Sequence, residues 1–524
     1  MSFPLLTATA VLPAVGAIAT AAVPAKQRTA AKWLALLFSL ATLVLAAVVA
    51  VRFDPGGGRF QLTESHAWIA DFGVRYELGV DGIAVALIAL TALLIPFVIL
   101  AGWHDADPQE TGNTRWRPTQ GFFALILLVE AMVIISFEAT DVFLFYIFFE
   151  AMLIPMYFLI GGFGDRAGQH GEKEAATQRS YAAVKFLLYN LVGGLIMLAA
   201  VIGLYVVAGN FSLQGIAAAR ANGSLDMATN TERLLFLGFF FAFAVKAPLW
   251  PLHTWLPNAM GEATTPVAVL ITAVVDKVGT FAMLRFCLQL FPEASKWATP
   301  VILVLALISI VYGALVAVGQ RDIKRLIAFA SISHFGFIIM GIFAMTSQGQ
   351  SGATLYMVNH GISTAALMLV AGFLISRRGS RLIADYGGVQ KVAPVLAGTF
   401  LIGGLATLSL PGLAPFVSEF LVLVGTFTRY PVIGIIATFG IVLAALYTLV
   451  LYQRTMTGPV KPSTEGIADL RVRELAVVVP LIGVLIFLGV YPKPLTELVN
   501  PAVKHTLSDV HKKDPKPEVE AAHK

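Results

Sequence analysis

Ionisable side chains inside long apolar stretches are the most informative feature of this sequence. An ionised side chain at the centre of a membrane helix costs roughly 2.5–3.5 kcal/mol on insertion scales, so such residues are rare without a role. Burial lowers the pKa of a lysine and raises that of a carboxyl group, and imidazole titrates near neutrality. A row of such groups, bridged by water, is therefore suited to passing protons. The primary candidates are Glu150, Lys246, Lys277, His334, His360 and Glu419.

Each candidate also has a purely structural interpretation. A buried glutamate can be the static partner of a buried lysine, and a histidine in an apolar helix is commonly only a hydrogen-bonding group between helices. For Glu150 and Lys246 we hypothesise a switchable ion pair, because opposite charges ~4 Å apart interact by about 4 kcal/mol at an effective dielectric of 20. Breaking that pair would release the lysine proton. Secondary candidates for proton transfer are His253, Glu130 and Asp276.

The composition predicts the elements that position these residues. Of 524 residues, 57% are hydrophobic and 13% are charged, with a mean hydropathy of +0.80. One helical crossing of a bilayer needs about 20 apolar residues. The sequence therefore predicts an all-α integral membrane protein of about fourteen transmembrane helices. The predicted spans are 3–23, 33–51, 79–102, 119–138, 140–162, 181–208, 234–258, 263–290, 300–319, 324–345, 352–376, 394–427, 430–453 and 473–492.

Two of these spans carry closely spaced prolines. Pro248 and Pro251 interrupt helix seven, and Pro411, Gly412 and Pro415 interrupt helix twelve. Proline removes a backbone donor and clashes with the preceding turn, and freed backbone groups at membrane depth are tolerated only in protein or beside water. Interrupted helices at corresponding positions indicate two repeats and an ion site near the midplane. Ordinary proline kinks are the alternative.

The sequence predicts five parts of the chain. Residues 1–118 hold helices one to three, 119–290 and 299–455 form two inverted five-helix repeats (helices 4–8 and 9–13), and 470–495 hold helix fourteen. Residues 500–524 are predicted to be an exterior tail, disordered after Pro501 because Lys, Asp, Glu and Pro dominate it.

The cationic residues predict the orientation in the membrane. Nineteen Lys and Arg residues lie on the odd-numbered loops and seven on the even-numbered loops. By the positive-inside rule the odd loops are cytoplasmic and both termini are exterior. The positive residues Lys26 and Arg28 follow the first apolar run, which favours a retained helix over a cleaved signal peptide.

Cysteine usage excludes several kinds of site in this chain. Cys287 is the single cysteine, so neither a disulfide framework nor a cysteine-ligated iron–sulfur cluster nor a thiolate zinc site is expected. A Gly-rich phosphate loop after a strand is also missing from the sequence. Any redox chemistry must therefore belong to another chain.

Several motifs resemble the antiporter-like subunits of respiratory complex I, in that family's order and over roughly residues 75–455. They are Phe145–Tyr157, Leu252–Pro257, Lys277–Thr280, Asp322–Ala328 with Ser331–His334, and Leu410–Gly412 with Glu419–Phe420. Asp276, where the family is usually uncharged, Pro415, in the place of a glycine, and Ala330, in the place of a serine, depart from the pattern.

The resemblance implies roles for the candidates. Glu150 and Lys246 would be the ion pair, Lys277 the central lysine, and Glu419 the exit-side group, with His334 and His360 on the polar axis between. It also implies FMN, iron–sulfur clusters and quinone in partner subunits and none in this chain. The implied partners are other complex I membrane subunits, especially the L and N antiporter-like subunits on either side, and lipid, with no nucleic acid. The implied location is the bacterial plasma membrane.

Two active functions and one passive role fit the sequence. The first is a proton-translocating membrane-arm subunit driven by quinone reduction elsewhere in the complex. The alternative is a subunit of a multi-subunit sodium/proton antiporter, which a lysine in place of Glu419 would have favoured. An inert scaffold is the third, and it predicts that neutralising Glu150 or Lys246 leaves pumping intact.

Overall fold

The computed structural model describes residues 3–107, 119–164 and 172–515. Within them, twelve helices are long and apolar enough to cross a membrane. They are α1 (Leu5–Ala22), α2 (Arg28–Arg52), α3 (Gly82–Ala101), α4 (Thr119–Glu138), α5 with α6 (Val142–Phe163), α7 (Glu172–Ala208), the helix Thr265–Leu288, α13 (Pro292–Val318), α14 (Ile323–Phe343), α15 (Ser347–Arg378), α19 (Pro431–Met456) and α20 (Val472–Val490).

The two remaining predicted spans, seven and twelve, lie at interrupted helices. After the short helix α8 (Leu213–Ala221), α9 (Thr229–Lys246) ends at Lys246 and α10 (Trp255–Glu262) resumes the path. Pro248 and Pro251 stand between them. The backbone carbonyl of Val245 accepts a hydrogen bond from Trp255 Nε1 at 2.9 Å, so a side chain satisfies a carbonyl that the break sets free.

The second interruption separates α17 (Pro394–Thr407) from α18 (Ala414–Phe427), after the short helix α16 (Val389–Val392). Pro411 and Gly412 lie in the break, and Gly412 has φ +94°, a conformation that favours glycine. Pro415 does not lie in the break. It stands in the first turn of α18, where its missing N–H would have no helical partner.

The helix Thr265–Leu288 is not a plain α-helix. It begins as α11 (Thr265–Val269), becomes a π-helix over Leu270–Val275, continues as α12 (Asp276–Ala282) and becomes a π-helix again over Met283–Leu288. An 18-residue stretch of this helix, of α14 and of α15 is fully buried within the chain itself. These three buried helices carry Lys277, His334 and His360, which places the ionisable residues in protein rather than lipid.

An antiparallel β-hairpin stands between α2 and α3, and the sequence analysis had not predicted it. Strand β1 (Gln61–Ile69) pairs with β2 (Val74–Val80), and the turn between them contains Gly73 at φ +66°. Leu78 of β2 also pairs with Ala139, at the end of α4. The hairpin is therefore attached to the ends of the membrane helices on its side of the molecule.

The prediction of disorder after Pro501 is wrong for the residues that the structure describes. Helix α21 (Lys493–Asp509) continues through Pro501 and buries Val499, Val503 and Leu507. It packs against α3 and α15, and Arg59 forms an ion pair with Asp509 at 2.5 Å. Composition misled the prediction because the apolar residues at helical spacing were outnumbered by the charged ones. Residues 516–524 of the tail lie outside the described residues.

The inverted relation between the repeats 119–290 and 299–455 stays a prediction. The orientation of the two termini in the membrane also stays a prediction. Of the cations counted for the orientation, Arg115, Arg117 and Arg166 lie outside the described residues.

Candidate proton-transfer site

Lys277 lies fully buried near the middle of the helix Thr265–Leu288. Its ammonium group donates a hydrogen bond to the carbonyl of Thr272 at 3.0 Å and lies 2.7 Å from Nδ1 of His360. It also stands 4.1 Å from the centre of the Phe335 ring, a cation–π distance. Thr272 belongs to the π-helical stretch, where the backbone departs from α-helical pairing. The site therefore binds the lysine through one carbonyl and one imidazole.

Two histidines continue the row from Lys277. The rings of His360 on α15 and His334 on α14 lie 5.3 Å apart, centre to centre. His360 Nε2 is 3.2 Å from the Thr364 hydroxyl, and His334 Nε2 is 3.2 Å from the Tyr447 hydroxyl. Both imidazoles thus have polar partners, so each can change its protonation state without leaving a buried nitrogen unpaired.

Tyr356 connects His334 to Glu419. Its hydroxyl contacts His334 Nδ1 and donates to Glu419 Oε2 at 2.8 Å. The Ser409 hydroxyl, in the second helix break, donates to the same carboxylate oxygen. Glu419 is 2% exposed, so these two hydroxyl groups supply its solvation in place of water.

Close packing of two helices makes this bridge possible. Tyr356 lies on α15 and Glu419 on α18, and these helices pack along their length. A Cβ atom on Gly352 of α15 would stand 2.7 Å from the backbone nitrogen of Val422 on α18. Glycine at 352 therefore allows an approach that no larger residue permits, and that approach brings the tyrosine within reach of the carboxylate.

Lys246 and Glu150 are not directly paired. Lys246 Nζ donates to the carbonyl of Phe149 at 2.5 Å and stands 3.6 Å from the centre of the Phe149 ring. Within the described part of the chain no ion pair joins Lys246 to Glu150 at 4 Å or less, so the contact expected from the sequence is replaced by one to the neighbouring backbone.

The Glu150 carboxylate lies against the backbone of Gly194 on α7. A Cβ atom on Gly194 would stand 2.0 Å from Glu150 Oε1. That oxygen has no hydrogen-bond partner in the part of the chain that the structure describes, and the residue is partly exposed at the surface. Glu150 therefore occupies a notch that only glycine leaves open, with one side of the residue facing outward.

The three secondary candidates do not join the hydrogen-bonded row. Asp276 and Glu130 are fully buried, and within the described ranges their carboxylate oxygens have no hydrogen-bond partner. His253 lies in the first helix break, with its ring 5.2 Å from that of Tyr312 and its Nδ1 unpartnered. Other polar residues have structural contacts: Arg285 pairs with Asp81 at 2.9 Å, and Arg381 pairs with Glu262 at 2.9 Å.

Sequence reasoning missed two hydroxyl groups that complete the row, those of Tyr356 and Ser409. Tyr356 stands four residues before His360, a spacing that places two side chains on the same face of a helix. That spacing was the available signal. Ser409 stands two residues before Pro411 of the second break, and nothing in its local sequence indicates a contact with Glu419 ten residues later.

This geometry defines the class of protein: a polytopic helical membrane protein with two interrupted helices and a buried row of titratable groups between them. The family described as "NADH:quinone oxidoreductase/Mrp antiporter, TM" matches residues 139–444. A protein of Mycobacterium tuberculosis named NADH-quinone oxidoreductase subunit M is 55% identical over 98% of this chain and 96% of the relative. The subunit M of Rhodobacter capsulatus is 39% identical over 93% and 92%. The chain belongs to the family of NADH-quinone oxidoreductase subunit M.

Solved structures agree on the fold. A chain of respiratory complex I from Thermus thermophilus with bound NADH superposes with a TM-score of 0.84 at 30% identity, covering 96% of this chain and 99% of that chain. A chain of the Mrp complex from a Dietzia species superposes with a TM-score of 0.80 at 21% identity, covering 98% and 100%. The second likeness concerns the fold alone.

Proposed function

We propose that this chain translocates protons as a membrane-arm subunit of NADH:quinone oxidoreductase, driven by quinone reduction in other subunits. The observation that supports the proposal is the unbroken series of contacts from Lys277 through His360, His334 and Tyr356 to Glu419. It connects the centre of the helix Thr265–Leu288 to the second helix break. Glu150 and Lys246 extend the row on the side of the first break.

Each group in the series suits a proton relay. The Lys277 ammonium delivers a proton to His360 Nδ1, and the neutral amine then accepts the next one. His334, receiving a proton from His360, passes one to the Tyr356 hydroxyl, which at the same time donates its own to Glu419. Hydrogen-bond contacts join the neighbouring groups at every step except one: the His360 and His334 rings pack 5.3 Å apart, and a ring rotation or a water would carry the proton between them. Buried ionisable residues are costly and rare in membrane helices without a role, and the relay gives these residues one.

The resident cofactors of the proposed complex belong to its other subunits. FMN, iron–sulfur clusters and quinone would be held there, and this chain would supply the proton path. Its neighbours would be other complex I membrane subunits, with the L and N subunits on either side. The excess of Lys and Arg on the odd loops supports a plasma-membrane protein with both termini exterior.

The test is proton uptake by inverted vesicles that carry the whole enzyme with Glu150→Gln. Because glutamine cannot release a proton, we expect the initial rate of NADH-driven uptake to fall about tenfold, which corresponds to about 1.4 kcal/mol of barrier. Glu465→Gln is the matched control, since Glu465 is exposed in the loop after α19. Undiminished uptake with Glu150→Gln, in vesicles with normal amounts of enzyme, would defeat the proposal.

The sodium/proton antiporter remains the competing function, and the likeness in fold to the Mrp complex is the observation in its favour. The two are separated by what purifies with the chain. Flavin and iron–sulfur proteins support the redox pump, whereas a complex of membrane subunits alone, with sodium-dependent proton exchange, supports the antiporter.

A further inference from the structure

Asp276 is a buried carboxylate beside the central lysine, and it has no hydrogen-bond partner among the residues that the structure describes. It is 0% exposed, and both of its oxygens are unpartnered. A carboxylate held permanently ionised and unpartnered in an apolar interior is costly, and a native structure retains such a group only with a compensating charge or a role. The row described above makes no use of it.

The position of Asp276 is defined by the packing of α12 against the end of α9. A Cβ atom on Gly279, three residues after Asp276, would stand 2.9 Å from the backbone nitrogen of Ala247 and 3.0 Å from the carbonyl oxygen of Phe243. Residues three apart are neighbours on a helix surface. Asp276 therefore lies beside the first helix break, where α9 ends with Lys246.

Two cationic side chains lie on the elements around Asp276. Lys277 is the next residue along α12, and Lys246 is the last residue of α9, which packs against α12. Lys246 itself bonds to the carbonyl of Phe149, and Lys277 bonds to Thr272 and His360. In the described residues, no hydrogen bond joins the two lysines, so the row has a gap between them, and Asp276 stands at that gap.

We propose that Asp276 carries protons between Lys246 and Lys277 and so joins the two halves of the row. The proposal rests on the proton-translocating function above. In the first step the Lys246 ammonium gives a proton to the carboxylate, leaving a neutral amine and a carboxylic acid. In the second step the acid gives that proton to the neutral amine of Lys277, which restores the carboxylate and forms an ammonium. One proton moves, directly or through a water, and no other reactant is consumed.

The test compares Asp276→Asn with Asp276→Glu in the whole enzyme in inverted vesicles. Asparagine keeps the size of the side chain and cannot carry a proton, whereas glutamate keeps the carboxyl group. Thr280→Val is the matched control, because Thr280 is buried on the same helix and its hydroxyl donates to the helix's own backbone, at the carbonyl of Lys277. The quantity measured is the initial rate of NADH-driven proton uptake per assembled complex.

We expect Asp276→Asn to slow uptake about tenfold, with Asp276→Glu and Thr280→Val within about twofold of the unchanged enzyme. We also expect Asp276→Asn combined with Lys246→Met to be no slower than the slower single variant, because both act on one route. A purely structural role would not produce rescue by glutamate together with this non-additivity. Uptake by assembled Asp276→Asn within about twofold of the unchanged enzyme overturns the proposal.

Other outcomes of these experiments also decide between the proposals. If Asp276→Asn fails to assemble, the proposal is tested instead by redox-difference infrared spectra, which compare the unchanged enzyme with Asp276→Glu. A protonated-carboxyl band that shifts in the variant supports the proposal, and identical spectra overturn it. If Glu150→Gln and Lys246→Met slow uptake while Asp276→Asn does not, only the role of Asp276 falls. If none of the three slows uptake, the proposed function itself falls.

Discussion

Replacing Tyr356 with phenylalanine removes one oxygen atom and leaves the ring in place. That oxygen is the contact between His334 Nδ1 and Glu419 Oε2, so the change opens the row at one point. Tyr356 is fully buried, and the added space is smaller than a water molecule needs with its polar partners. The substitution therefore tests the connection rather than the packing.

The size of the effect follows from the bonds lost. A hydrogen bond to an ionised group contributes about 1.5–3 kcal/mol, and each 1.4 kcal/mol of barrier is a factor of ten in rate. We expect NADH-driven proton uptake by Tyr356→Phe to fall by about tenfold to a hundredfold. We also expect the folded enzyme to lose about 1–3 kcal/mol of stability, because His334 Nδ1 and Glu419 each lose a buried partner. Folding should survive, because Glu419 keeps its bond from Ser409 and His334 keeps its contact with Tyr447.

Tyr447→Phe provides a matched control for this prediction. Tyr447 is also a buried tyrosine whose hydroxyl contacts His334, at 3.2 Å from Nε2, but it does not connect His334 to Glu419. We expect its uptake rate to stay within about threefold of the unchanged enzyme. The assay is fluorescence-dye quenching in inverted vesicles, normalised to assembled enzyme. Equal rates for the two variants would refute the assignment of Tyr356 as the connection.

Two further predictions concern glycines that make room for the site. Gly194→Ala places a Cβ atom 2.0 Å from Glu150 Oε1, so the carboxylate must leave its notch, and we expect proton uptake to fall as far as with Glu150→Gln. Gly398→Ala is the control, since a Cβ there meets nothing within 4 Å, and equal uptake by the two alanine variants would contradict the prediction. Gly352→Ala places a Cβ atom 2.7 Å from the backbone nitrogen of Val422, so α15 must move away from α18. We expect it to destabilise the chain by about 1–3 kcal/mol, the usual cost of overpacking, seen as a lower thermal midpoint of the purified enzyme. An unchanged midpoint would show that the two helices separate at no cost.

The family and much of the fold were predictable from the sequence. The resemblance to complex I subunits, drawn from motifs such as the run around Glu150, is confirmed by relatives of high identity and by the structural likeness. The interruptions at Pro248 with Pro251 and at Pro411 with Gly412 stand where the prolines indicated. The hairpin β1–β2 and the helix α21 were missed, because both carry weak apolar patterns that only their packing partners stabilise.

The sequence by itself determined local properties. The length of the apolar stretches sets where helices cross the membrane, and the positions of the prolines set where two of them break. The sequence also shows which helix carries each ionisable residue. The tertiary structure alone decided which of those residues meet. Lys246 contacts the Phe149 carbonyl and not the neighbouring Glu150 carboxylate, and Tyr356 and Ser409 both reach Glu419. The physical reason is that a hydrogen bond between helices tolerates only a few tenths of an ångström. The helix rotations and helix-to-helix distances that such a bond needs are set by packing, as at Gly352. Residue spacing within one segment of the chain does not determine them.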